Sequence, residues 1–400
     1  MREFRISPSN LRWRKQVCWG TLTLMSEEED RNKGSNLQIQ HWVSLAPLTT
    51  LELGGAAGSF ATIDSVEMAK EAIRWAGRNL QPVAILGGGS NVVVSDSGFG
   101  GLVLRATLRG VQLQDDESAV RLTAAAGEPW DELVEMTVTK NLAGLECLSG
   151  IPGWVGATPI QNVGAYGQDV ATVIEAVHVL DLMSLEEKTL GREECGFGYR
   201  TSSFREFPNR FLVLSVTYAL ERGGRPKIEY RELRRALGIG QTEPSLAEAR
   251  QAVLDLRRSK SMVVEEGDPN RRSAGSFFVN PVVDAVTLAK LDERARVSGV
   301  LEPGESVPSF PADGKNRKVP AAWLIEKTGF AKGLRKGAIG ISSAHALALV
   351  HHGGGSTEEL VALARDIREG VRRQFDIKLQ PEPVFLGFPT ANPLSDEPAA

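Results

Sequence analysis

Two glycine-punctuated segments carry the first chemical signal in this chain. Gly87-Gly88-Gly89-Ser90-Asn91 directly follows the apolar run Val83–Leu86. Successive glycines let backbone N–H groups turn toward one point and let a ligand approach closely. Such a nest binds phosphate oxygens, although the same residues also suit a tight turn between strands. The pattern is not a Rossmann fingerprint: Val92 stands where a third glycine is needed, and the run it opens is strand-like rather than helical. The second segment is Ile151-Pro152-Gly153-Trp154-Val155-Gly156, running on through Pro159-Ile160-Gln161-Asn162-Val163-Gly164-Ala165-Tyr166-Gly167. It is apolar, long and poor in charge. It suits either a buried crossover or the face of a flat ring whose polar edge meets backbone groups, and specialised loops of this kind carry sites.

Other chemistries find less support. None of the five histidines, His41, His178, His345, His351 and His352, stands at metal-ligand spacing, so no metal is expected. Cys18, Cys147 and Cys195 form no CxxC pattern and no disulfide framework, which fits a reducing, cytoplasmic setting. A net charge of -4 argues against a nucleic-acid binder. No apolar run is long enough to insert in a membrane, and the basic N-terminal stretch has no apolar core of a secretory signal.

With 400 residues, two or three domains are expected. Residues 1–47, basic and then acidic, read as a disordered extension, with order beginning near Leu48–Leu53. Helical spacing of Val66, Ala69, Ile73 and Ala76 predicts a helix over Ser65–Arg78, capped by Asp64 or Ser65. Strands are expected at Val83–Leu86, Val92–Val94, Leu102–Leu104, Val120–Ala125, Val173–Leu180 and Phe211–Leu220. A turn is expected at Ser97–Gly101. Helices are expected at Glu128–Thr139, with Pro129 in the first turn, at Ser245–Arg258 and at Thr357–Phe375. A boundary falls at residues 221–226, and the tail 388–400 reads as flexible.

Six ordered blocks carry a resemblance: Leu86–Val92 (LGGGSNV), Ile151–Gly167 (IPGWVGATPIQNVGAYG), Phe197–Phe204 (FGYRTSSF), Ala274–Pro281 (AGSFFVNP), Ala321–Gly333 (AAWLIEKTGFAKG) and Pro381–Gly387 (PEPVFLG). Together they resemble the UDP-N-acetylenolpyruvoylglucosamine reductase family, in the subgroup with an extra tyrosine loop, here around Tyr230. The resemblance implies an α+β chain. Residues 48–223 would form a two-subdomain FAD-binding fold of the vanillyl-alcohol-oxidase (PCMH) type. Residues 224–387 would form a C-terminal α+β substrate-binding subdomain, whose last strand returns Glu382 to the active site. His351-His352 departs from the asparagine usual there.

The implied activity is NADPH-dependent reduction, through non-covalent FAD, of a UDP-sugar enol ether to UDP-N-acetylmuramate for peptidoglycan. The implied enzyme is a cytoplasmic monomer. Hydride from flavin N5 reaches the vinyl carbon, and negative charge then develops beside the carboxylate. The resemblance assigns Arg200 to that charge, because a guanidinium can hold a carboxylate at two points. Ser276 becomes the proton donor and Glu382 the carboxylate partner. Gly87, Gly88, Gly89, Ser90, Asn91, Ile151, Pro152, Gly153, Gln161, Asn162, Gly164 and Ala165 fall to the cofactor. Tyr230, Lys260 and Asn280 fall to the UDP-sugar. A flavin oxidase of the same fold would keep the glycine loops without Arg200, Ser276 and Glu382 as a set.

Overall fold

The structure, a computed structural model, describes residues 36–115, 119–238, 243–312 and 314–394. Its first layer is a sheet in the order Gln40–Ser44, Ala56–Ile63, Phe99–Ala106, Val83–Leu86. The last three strands are mutually parallel. Helix Val66–Arg78 covers one face through Ala69, Ala72 and Ala76. Ser65, not Asp64, is its cap: the Ser65 hydroxyl accepts from Met68 N, worth about 1 kcal/mol. Because the strands are parallel, their carboxyl ends share one edge, and Gly87 leaves from that edge. Crevices at such edges bind ligands.

The second layer is an antiparallel sheet ordered Glu187–Gly191, Ile174–Asp181, Phe211–Arg222, Val120–Ala125, Val111–Asp115. Helix Trp130–Thr139 packs on it through Trp130, Leu133 and Val134. Pro129 is the residue before this helix rather than within its first turn. Glu128 also stays outside, its carbonyl accepting from Val155 N at 2.9 Å. Helix Leu246–Ser259 comes next, with Ser245 and Glu248 forming a capping box.

The third layer is the sheet Ser273–Ser276, Ala348–His351, Ile339–Ile341, Arg335–Lys336, covered by helix Thr357–Phe375. Its core also takes Leu51, Leu53 and Val93 from the first part of the chain. The final strand, Val384–Leu386, pairs in parallel with Val92–Val94, so the end of the chain is stitched beside the glycine loop.

Three expectations are corrected. Order begins before residue 48: Gln40–Ser44 is an edge strand on Ala56–Phe60, while residues 1–35 lie outside the described residues. The tail is packed as far as Leu394, which is 2% exposed in the third core, and Arg365 donates to the Pro393 carbonyl at 3.0 Å. Residues 395–400 lie outside the described residues. Phe99, Gly100 and Gly101 belong to the strand Phe99–Ala106 rather than to a turn, since the strand pairs with Ala56–Ile63 from Phe99 onward; Gly101 lies against the Pro82 carbonyl, where a side chain has no room.

Candidate active site

The two glycine segments face one another. A Cβ on Gly88 would sit 2.9 Å from Gly153 Cα, and one on Gly153 would sit 2.8 Å from Ser90 Oγ. Ser90 Oγ donates to the Pro152 carbonyl at 2.9 Å. Gly89 has φ +66, and its Cβ position is blocked by the Leu48 carbonyl. Only glycine supplies that backbone at this approach. The loops wall a cavity of about 280 Å³. Their bare backbone fits the phosphates and flat ring of a flavin dinucleotide, with Gly87–Asn91 and Ile151–Gly153 as the residues that would hold it.

Arg200 enters this cavity from a tight turn. Gly198 and Thr201 exchange backbone hydrogen bonds of 3.0 and 3.3 Å, and Arg200 sits between them at φ 55. Its Nη2 donates to the Gly164 carbonyl at 2.7 Å, and its Nε lies 3.3 Å from Glu382 Oε1. Burial pushes the Glu382 carboxyl above the ordinary range, and Arg200 and Arg205 pull it partly back.

Glu382 is held through its backbone. Its N–H donates to the Phe277 carbonyl at 2.9 Å, and the next-but-one N–H, of Val384, donates to the Asn91 carbonyl at 3.0 Å. Ser276 precedes Phe277 and lines the same cavity; its hydroxyl meets no protein partner among the described residues. Arg200, Ser276 and Glu382, brought from three distant parts of the chain, thus share one cleft.

Gln161 is the hub beneath them. Its Oε1 accepts from Asn91 Nδ2 at 2.8 Å and from Arg205 Nη1 at 2.9 Å, and its Nε2 donates to Glu382 Oε1 at 3.4 Å. Arg205 Nη2 also donates to the Glu382 carbonyl at 3.0 Å. Sequence reasoning did not single out Arg205, whose signal is its place in the same FGYRTSSFR run. It also missed Arg257, a buried cavity residue one helical turn before Lys260; that i, i+3 spacing was the available clue.

Several expected contacts lie elsewhere. Asn162 and Ala165 do not line the cavity. Asn162 is buried, donating to the Gly198 carbonyl at 3.1 Å and accepting from Ala171 N at 3.0 Å, so it shapes the loop. Asn280 accepts from Ala321 N at 2.8 Å, at the start of helix Ala321–Lys327. Tyr230 and Lys260 form a neighbouring group: the Tyr230 ring meets Tyr166 edge-on at 5.5 Å, and Lys260 Nζ stands 5.7 Å from the Tyr166 ring. Lys260 also pairs with Glu232 at 2.6 Å. His351 is buried between the Leu51 carbonyl and Gly355 N, a structural position. Among the described residues, no group of acidic, histidine and cysteine side chains could hold a metal ion, and no helix is long and apolar enough to cross a membrane.

The comparisons with known proteins agree with this layout. A FAD-binding domain model matches residues 58–185, and a model of the UDP-N-acetylenolpyruvoylglucosamine reductase C-terminal domain matches residues 268–386. The UDP-N-acetylenolpyruvoylglucosamine reductase of Thermobifida fusca is 47% identical over 350 residues, 86% of this chain and 97% of that one. That of Salinispora arenicola is 46% identical over 349 residues, 86% of this chain and 94% of that one. The crystal structure of the Thermus caldophilus reductase superposes with a TM-score of 0.59 at 25% identity, covering 88% of this chain and 99% of that one. The fold is therefore a FAD-binding domain joined to the C-terminal domain of this reductase family. On this likeness, and on the shared cleft, the chain belongs to the UDP-N-acetylenolpyruvoylglucosamine reductase family.

Proposed function

We propose that this chain reduces the enolpyruvyl group of UDP-N-acetylenolpyruvoylglucosamine with NADPH, giving UDP-N-acetylmuramate for peptidoglycan synthesis, and acts as a cytoplasmic monomer. The observation that carries this reading is the convergence of Arg200, Glu382 and Ser276 on the cavity of the glycine loops. The loops Gly87–Asn91 and Ile151–Gly153 would hold FAD, which would supply hydride chemistry with NADPH as the source. Neither histidine nor cysteine is among the cavity's lining residues, which supports non-covalent binding.

Arg200 serves the carboxylate. Its guanidinium is a preorganised fork of donors directed at the group on which negative charge develops, and such preorganisation stabilises a transition state. Glu382 fixes the guanidinium through its 3.3 Å contact. Ser276 delivers the proton to the carbon next to the carboxylate, its hydroxyl being free of protein partners among the described residues. Lys260 and Tyr230, gathered around Tyr166, receive the diphosphate as a point charge and a donor. Asn280 acts on the substrate side through the start of helix Ala321–Lys327, whose first N–H its side chain accepts.

The test is anaerobic. NADPH should bleach the flavin absorbance of the purified protein, and the enolpyruvyl substrate should restore it. Failure of the substrate to restore colour would contradict this function, and absence of any flavin would contradict the cofactor as well.

A further inference from the structure

The stretch that carries Glu382 is bordered by two cavities. Glu382 lines the cavity of the glycine loops. Pro381 and Pro383 line a second cavity, of about 350 Å³, together with Tyr199, Phe385 and Asn392. Atoms that face open space have no packing partners there, so hydrogen bonds must hold the stretch. Proline at 381 and 383 removes two of its backbone donors. The remaining N–H, of Glu382, goes to the Phe277 carbonyl. Both carbonyls turn to Arg205: its Nη2 donates to Glu382 O at 3.0 Å and to Pro381 O at 3.4 Å. Asn91 Nδ2 adds a longer contact to Glu382 O, at 3.4 Å.

Arg205 reaches the carboxyl group by a second route. Its Nη1 and Asn91 Nδ2 both donate to Gln161 Oε1, at 2.9 and 2.8 Å. With two donors on that oxygen, the amide must turn its NH2 toward Glu382, and Nε2 stands 3.4 Å from Oε1. Arg200 Nε faces the same carboxyl oxygen at 3.3 Å. No carboxylate forms an ion pair with Arg205 among the described residues, so its charge meets neutral acceptors and its field falls on the nearby carboxyl. Burial lifts the Glu382 carboxyl above its ordinary range, and Arg200 and then Arg205 oppose that rise. The other titratable group that feels Glu382 is the Tyr199 phenol; the two loops contribute only neutral Gln161 and Asn91.

We infer that Arg205 is a positioning residue for the substrate half of the reaction, fixing the Pro381–Glu382 main chain and the Gln161 amide so that the Glu382 carboxylate holds Arg200 in line. This rests on the reading of Arg200 and Glu382 given above. Arg205 is assigned no contact with a reacting atom. It lies five residues after Arg200, in helix Ser203–Glu206, so one short segment sets both ends of the Arg200–Glu382 contact: Arg200 meets the carboxyl oxygen, and Arg205 grips the main chain behind it. An arginine suits this task because two nitrogens of one rigid fork serve three acceptors, which a lysine cannot do. The contact is directed at the substrate carboxylate, so acceptance of hydride from NADPH does not depend on it.

The experiment follows both half-reactions by rapid mixing in the full-length holoprotein, wild type beside Arg205→Met, Arg205→Lys, Glu382→Gln and the double variant of Arg205→Met with Glu382→Gln. In Arg205→Met, reoxidation of the flavin by the enolpyruvyl sugar should slow roughly 10²-fold, as when a reacting group is misplaced by a distant change. Flavin reduction by NADPH should stay within a few-fold of wild type. Loss of the cation disfavours the ionised carboxyl, so the acid limb of the reoxidation rate should move to higher pH. Arg205→Lys keeps the charge and reaches fewer acceptors; it should leave that limb near its wild-type position and recover part of the rate. In the Glu382→Gln background, Arg205→Met should cost only a few-fold more, because both changes break one linkage. Four results overturn the inference: near-wild-type reoxidation in Arg205→Met, equal slowing of both half-reactions, a fully additive loss in the double variant, or a slowed rate with the acid limb unmoved. If Arg205→Met gives no folded holoprotein, Arg205→Lys decides: slowed reoxidation with normal reduction supports the inference, and wild-type reoxidation overturns it. A wild-type flavin that NADPH reduces and the sugar does not reoxidise contradicts the proposed function instead.

Discussion

Arg200 Nε and Glu382 Oε1 face each other at 3.3 Å across the cleft, although neither could hold that position alone. Arg200 depends on the Gly198–Thr201 turn, and Glu382 on the Phe277 carbonyl. On the proposed reading, the pair presents a planar donor group to the planar carboxylate of the substrate, which makes geometry as important as charge.

Arg200→Lys should accordingly be a severe lesion. Both side chains are cationic, but lysine offers one flexible point charge in place of a rigid fork. Reoxidation of the reduced flavin by substrate should fall roughly 10²-fold or more. FAD content and UDP affinity should hold, since Arg200 touches neither phosphate end. Rapid mixing measures the first; a rate within a few-fold of wild type would remove Arg200 from the reacting centre.

Glu382→Gln should separate stability from activity. Burial raises the carboxyl pKa in the folded chain above the ordinary glutamate value of 4.5. Between those two values the folded protein binds more protons than the unfolded one, so stability falls as pH rises through that window. The glutamine variant escapes that loss. It should melt at a higher temperature than wild type near neutral pH, with the difference closing as pH falls to about 4.5, where linkage ends. Turnover should drop at the same time. A variant that melts lower at neutral pH would show that the contacts with Arg200 and Arg205 outweigh the desolvation cost.

Leu394→Ala tests the packed end of the chain. Leu394 is buried in the third core, and Phe388 meets Phe385 edge-on at 5.5 Å, which in turn meets Phe277 at 6.3 Å. Removing a buried leucine side chain costs about 2–5 kcal/mol. Urea unfolding should register that loss. No change in midpoint would mean that the tail contributes nothing to the fold.

How much was legible in the sequence depended on how local each signal was. Helix Thr357–Phe375 was readable to the residue, because its apolar period is unbroken and Ser356 and Glu359 form a capping box. The strand Gln40–Ser44 left no trace, since all but Val43 are exposed and no alternation shows. The tail was misread because proline and small residues suggest fraying, while its anchors, Arg365 and the third core, lie elsewhere in the sequence. The glycine loops were visible by composition. Gln161 was singled out as a cofactor contact, but its place as a hub with Arg205 was not legible, because it arises only when Val384–Leu386 pairs with Val92–Val94 and brings Glu382 onto the loop.

The most direct measurement resolves the two half-reactions in Ser276→Ala. Ser276 is assigned only to the proton that is delivered after hydride transfer to the substrate. Flavin reduction by NADPH should therefore proceed at nearly the wild-type rate, while reoxidation by the enolpyruvyl sugar should slow on the order of 10²–10⁴-fold, as when a positioned acid is lost. Equal slowing of both steps, or wild-type reoxidation, would contradict the assignment of Ser276 and with it the account of a cleft built from Arg200, Glu382 and Ser276.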